Sequence, residues 1–134
     1  MKKLLLVLFC LPILILGQQN FIPNQSYFGQ NNYIEYVAGD LPIIIVVPHG
    51  GSLIPVNLPT IGNHGIDNGT FETSHLLYDS IAAHTNGCFP HMIISHLHPT
   101  VMNPVKEIDS AAGMNIDARQ AWYDFHDFID TAKY

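Results

Sequence analysis

Pro42-Ile43-Ile44-Ile45-Val46-Val47-Pro48-His49-Gly50-Gly51 is the stretch on which the fold turns. A β-branched run without polar alternation predicts a short strand covered on both faces, as at the centre of a parallel sheet. Pro48 stiffens the exit from that strand, and Gly50-Gly51 let the backbone turn tightly and a ligand come close. His49 therefore falls at the carboxyl end of the strand, where open α/β sheets place their ligands. By itself the tetrapeptide also suits a plain loop histidine beside a turn.

Working outward, Tyr33 to Val37 combines aromatic and β-branched residues with Glu35 in the middle, which predicts an edge or half-exposed strand turned by Gly39-Asp40. Residues 18–32, rich in Asn, Gln, Gly and Pro, read as an extended lead-in to a domain spanning 33–134. Downstream, the stretch to Gly69 holds too many breakers for regular structure, and long loops of this kind are usually functional. Thr70 to Asn86 predicts a helix capped by Thr70, with Leu77 and Ile81 on its apolar stripe and Gly87 as its stop. Phe89 to Ile94 is the next strand. His98 to Gly113 is a loop with a helical turn near Glu107 to Ala112, and Asp117 to Tyr134 closes the chain as a helix. That helix repeats Ala118, Ala121, Trp122, Phe125, Phe128, Ile129 and Ala132 at the spacing of one buried face. The order strand, strand, helix, strand, helix predicts an α/β fold with a mostly parallel or mixed central sheet and flanking helices. The last helix should lead into a further strand, so the expected fold is incomplete at the C-terminus.

The amino end reads differently. Lys2 and Lys3 precede an apolar run from Leu4 to Leu16, and Gly17 and two glutamines follow. A membrane span needs roughly 20 apolar residues, so this shorter run with a basic start reads as a signal peptide over 1–17. Secretion, or release to a periplasm, without a stable membrane anchor is the expectation. Loss of that segment leaves Lys106, Arg119 and Lys133 against eleven acidic residues, a net charge near −8. Such a surface repels phosphate backbones, which excludes nucleic acid as a partner class. Only Cys88 remains, too few for an internal disulfide.

Eight histidines are many for 134 residues. His96 and His98 follow the second apolar strand with one residue between them, so strand alternation aims both to one side, a recurrent geometry for zinc. Two polar residues on an exposed strand end fit the same spacing. Asp67 and Glu72, around the start of the first helix, suit a metal ligand, a general base or a carboxylate that fixes a histidine tautomer. Favourable charge at a helix start accounts for them equally well. His75, His84, His91 and His126 read as surface or boundary residues.

Taken together, Pro48-His49-Gly50-Gly51, Asp67-x-x-Thr70-x-Glu72, Cys88-Phe89-Pro90-His91, Leu97-His98-x-Thr100 and Ala121-Trp122-Tyr123-Asp124-Phe125-His126 resemble the N-formylglutamate amidohydrolase family. The resemblance runs from about Tyr33 onward. It implies a fold similar to zinc carboxypeptidases and hydrolysis of N-formyl or related N-acyl amino acids by metal-activated water. It implies His49 as a metal ligand, with Glu72 as its carboxylate partner and Asp67 as the alternative. His98, or His96, would stand in as the third zinc ligand, Gly50 and Gly51 would line the substrate path, and Lys106 would hold a small anionic substrate.

This chain departs from the family pattern after Leu97-His98, where Pro99-Thr100-Val101-Met102-Asn103-Pro104-Val105-Lys106-Glu107 replaces a segment with three basic positions. Lys106 is a point charge where an arginine fork would grip a carboxylate in two places. The family's later His-Gly-His motif has no counterpart. Two readings follow: an active exported amidohydrolase, or a truncated, inactive remnant that keeps at most metal or partner binding. In the second, the apolar face of the last helix would be unpartnered and would drive self-association.

Overall fold

The two apolar runs form neighbouring strands of one sheet. A computed structural model of the chain describes residues 20–134. The expected signal segment, 1–17, lies outside the described residues. Numbered in chain order, the strands are β1 (Ser26–Phe28), β2 (Ile34–Val37), β3 (Ile44–Val47) and β4 (His91–Ser95), and the helices are α1 (Thr70–His84), α2 (Ile108–Ala112) and α3 (Ile116–Thr131). The sheet order is β1-β2-β4-β3. β3 runs parallel to β4 in the register Ile44↔His91 to Val47↔Ile94, whereas β2 is antiparallel to both β4 and β1. The result is a mixed four-stranded sheet with three helices, an α/β fold.

Alternation along β4 explains the layering. Ile93 joins Ile34, Tyr36, Ala118, Ala121 and Phe125 in the core beneath α3. Met92 and Ile94 point the other way and pack with Val37, Ile45, Val47 and Tyr78 of α1. The strand covered on both faces is thus β4, not β3 as its composition implied. β3 has a sheet neighbour on one side only, and Val46 stands 41% exposed. A β-branched run reports two apolar faces, but the number of neighbouring strands is a tertiary outcome.

Three further expectations shift. The lead-in is not outside the fold, because β1 within it pairs with β2 through Tyr27↔Tyr36, and Phe21 packs edge-on to Tyr36 at 5.1 Å. These aromatic contacts hold the strand despite the Asn, Gln and Gly residues that flank it. Thr70 is the first helical residue rather than the cap, which is Gly69 at φ +79, and the inward stripe of α1 is Phe71, Ser74, Tyr78 and Ile81, leaving Leu77 exposed. The expected start and stop of α1 otherwise hold, with Gly87 at φ +90 just past its end.

The side chain of Asn115 caps α3 by accepting from Ala118 N–H at 3.0 Å. The apolar stripe of α3 then packs on β2 and β4. The face expected to lie unpartnered in a remnant therefore meets the sheet of its own chain. Among the described residues no helix is long and apolar enough to cross a membrane.

Candidate metal centre

His49 lies two residues past β3 and is 8% exposed. Its Nε2–H donates to Asn103 Oδ1 at 2.8 Å. That same oxygen accepts Val105 N–H at 3.3 Å, which fixes the amide with its carbonyl toward the ring. With the ring proton on Nε2, the lone pair of a neutral imidazole is on Nδ1. Nδ1 lies 3.1 Å from Asp67 Oδ2.

Backbone contacts hold Asp67 in that place. Its N–H donates to His49 O, and its own carbonyl accepts from Thr70 N–H at the start of α1, both at 3.1 Å. The other carboxylate oxygen lies 3.5 Å from His64 Nε2. The His64 ring is tilted against His49 with centroids 4.3 Å apart. Although His64 is partly exposed as a residue, its Nε2 is buried and has no hydrogen-bond partner.

One donor atom from each of His49, His64 and Asp67 thus lies within 4.8 Å of the others. An imidazole lone pair facing a carboxylate oxygen is repulsive unless a proton or a metal ion lies between them, and the buried His64 Nε2 has only the more distant Asp67 Oδ1 beside it. A metal ion meets both needs, and these residues can hold one. Two imidazoles and a carboxylate suit several divalent metals. Asn103 behind His49 is the outer hydrogen-bond partner that sets the tautomer of a ligating histidine.

This set differs from the expected one in two of its three members. His49 is placed as expected, and Asp67, taken as a general base or alternative ligand, faces it directly. Glu72 is exposed in the first turn of α1 and lies outside the three-donor group. His98 is also outside it. Its Nδ1 accepts from Thr100 N–H at 3.1 Å and lies 2.7 Å from Thr100 Oγ1, so a neutral ring carries its proton on Nε2 and has no lone pair left for a metal. His96 turns to Glu35 instead, Nε2 to Oε2 at 2.9 Å. The two histidines part because the chain leaves β4 there, with His98 N–H bonded to Leu53 O.

Gly50 and Gly51 lie next to the donor group without being part of it. Together with Ser52, Phe71, Glu72 and His96 they line a cavity of about 590 Å³ beside the His49 loop, and none of the three metal-donor residues lines it. Glu35, behind His96, has its carboxyl held below the usual range by the His96 hydrogen bond, with burial opposing and the Ser26 hydroxyl assisting. Lys106 is exposed three residues beyond Asn103, with its N–H on Asn103 O and its carbonyl accepting Trp122 Nε1–H.

His64 and Asn103 are the two members that sequence reasoning missed. His64-x-x-Asp67 within a long loop is a usable local signal for the first. Asn103, 54 residues from His49, has none. No family model, curated protein or solved structure matches the chain.

Proposed function

We propose that this chain is an exported zinc-dependent amidohydrolase acting on N-formyl or similar N-acyl amino acids, with His49, His64 and Asp67 holding the metal. The observation that carries the reading is the His49–Asp67–His64 donor group with its orphaned His64 Nε2 at the carboxyl end of β3. Resemblance of the Pro48-His49-Gly50-Gly51 series to the N-formylglutamate amidohydrolase family supports the substrate class, and the Lys2 to Gln19 pattern supports secretion or a periplasmic location.

Zinc bound there would lower the pKa of its water toward neutrality and polarise the acyl carbonyl. The protein's own residues supply the rest. Asn103 keeps the proton of His49 on Nε2, so that Nδ1 stays free to ligate. Asp67 would help hold the metal, and its carboxylate would be the group placed to take a proton from water. Gly50, where a side chain would press on Val47 and Phe71, lets the loop pack closely against α1, and Lys106 offers the positive charge for a substrate carboxylate on the Asn103 side.

A second reading, metal binding without turnover, draws on the absence of any lysine or arginine from the lining of the adjoining cavity. Metal content and formate release from N-formylglutamate, measured on purified protein and on His64→Ala and His49→Ala, separate the two. One zinc per chain, lost in both variants together with formate release, is the expected result. Zinc without formate release would leave the binding reading alone, and protein that takes up no zinc would overturn both.

A further inference from the structure

The cavity beside the His49 loop carries a chemistry of its own. Its charged lining group is the Glu72 carboxylate, exposed in the first turn of α1, and no lysine or arginine faces it. His96 adds an acceptor. Its Nε2–H is taken by Glu35, which does not line the cavity, so in the neutral ring Nδ1 holds the lone pair and is the nitrogen left for a ligand. Glu35 is an anion kept in place by this bond and by the Ser26 hydroxyl at 2.6 Å, which fixes the ring's tautomer.

The rest of the wall is Phe71, Leu53 and Ile54, the Gly50-Gly51 turn, and Ser52, whose hydroxyl is neutral. At about 590 Å³ the space is of small-molecule size and far exceeds a bare ion. Glu72 and His96 also lack the third donor that a metal would need, since the three-donor group among the described residues lies elsewhere. The net negative charge of the chain adds a long-range attraction for cations.

We propose that this cavity binds a small organic cation, a primary ammonium on an apolar body, with the ammonium between Glu72 and His96 Nδ1 and the body against Phe71 and Ile54. An ammonium offers three donors to the two acceptors, and an aromatic face stabilises a cation near it. The same chemistry is presented by a free amine and by a lysine side chain in a peptide.

None of the three metal donors lines the cavity, so the ammonium site is tested on the full chain stripped of metal with a chelator. Benzylamine, its neutral analogue benzyl alcohol and the anion phenylacetate are titrated while the amide of Gly51 and the ring protons of Phe71 and His96 are followed by NMR. A lysine-containing tripeptide blocked at both ends is titrated in parallel. Benzylamine should shift these resonances and bind at least about threefold more weakly to Glu72→Gln, the loss of one partly exposed charge pair. His96→Asn should weaken it as well, and both variants should keep the wild-type amide spectrum away from the cavity. Tighter binding of the tripeptide than of benzylamine would assign the site to lysine side chains, and the reverse to free amines. Equal binding of benzyl alcohol or phenylacetate, or an affinity untouched by Glu72→Gln, would overturn the proposal.

Discussion

Replacing Gly51 with alanine tests how the His49 loop is pinned to the sheet. A methyl group there would collide with the main-chain carbonyl of His96 and come within 2.5 Å of Ser95 O. Ile93, Ile94 and Ser95 in β4 are fully buried, so the loop must retreat rather than the strand. Retreat breaks the two ties between them, Leu53 N–H to His96 O at 2.9 Å and His98 N–H to Leu53 O at 2.8 Å. At roughly 1 kcal/mol for each hydrogen bond and about as much again for residual overpacking, the loss is about 3 kcal/mol. For a domain of this size that is a fall in Tm of roughly 10 °C. Urea unfolding followed by circular dichroism reads it directly, and zinc uptake should weaken alongside because His49 is two residues away. Gly65→Ala is the control, since a methyl there meets nothing within 4 Å, and its stability should stay within about 0.5 kcal/mol of wild type. Gly51→Ala stability equally close to wild type would refute the pinning.

Two further predictions concern the site and the core. Asn103→Leu removes the acceptor of both His49 Nε2–H and Val105 N–H at a position 4% exposed; zinc affinity should fall by about 10- to 100-fold, and an unchanged affinity in a zinc titration would remove Asn103 from its orienting role. Burial pushes the pKa of His91 below its ordinary 6.5, with Asp40 opposing. The unfolded chain therefore takes up more protons once the pH drops below 6.5, so this contribution is complete above that pH and is lost as pH falls toward the folded value. His91→Asn should flatten the dependence of the urea midpoint between pH 7 and pH 5, and identical slopes in variant and wild type would contradict the assignment.

The local signals that could be read from the chain were those with a short physical range. Asn86 and Gly87 end α1 because positive φ is tolerated there, at +57 and +90. The stripe of α3 was legible because Ala118, Ala121 and Phe125 recur at helical spacing, although that spacing could not say that β2 and β4 would fill it. The short α2 fell where expected, with Ala111 and Ala112 buried. β1 was not legible, since three residues between Gln25 and Gly29 are too few to show a period, and the strand forms by pairing with β2.

The sequence by itself determined an α/β chain, with His49 in a glycine turn after a β-branched strand and Asp67 just ahead of a helix, because these depend on backbone preferences and hydrophobic period alone. Tertiary structure alone decided which side chains meet. His96 and His98 share a strand end yet diverge to Glu35 and Thr100, while His64 and Asn103 come to His49 from 15 and 54 residues away. Loop paths are set by the few contacts that satisfy buried polar groups, such as the Leu53–Leu97 bridge and the Asp67 N–H on His49 O, and those contacts have no period for a sequence pattern to carry.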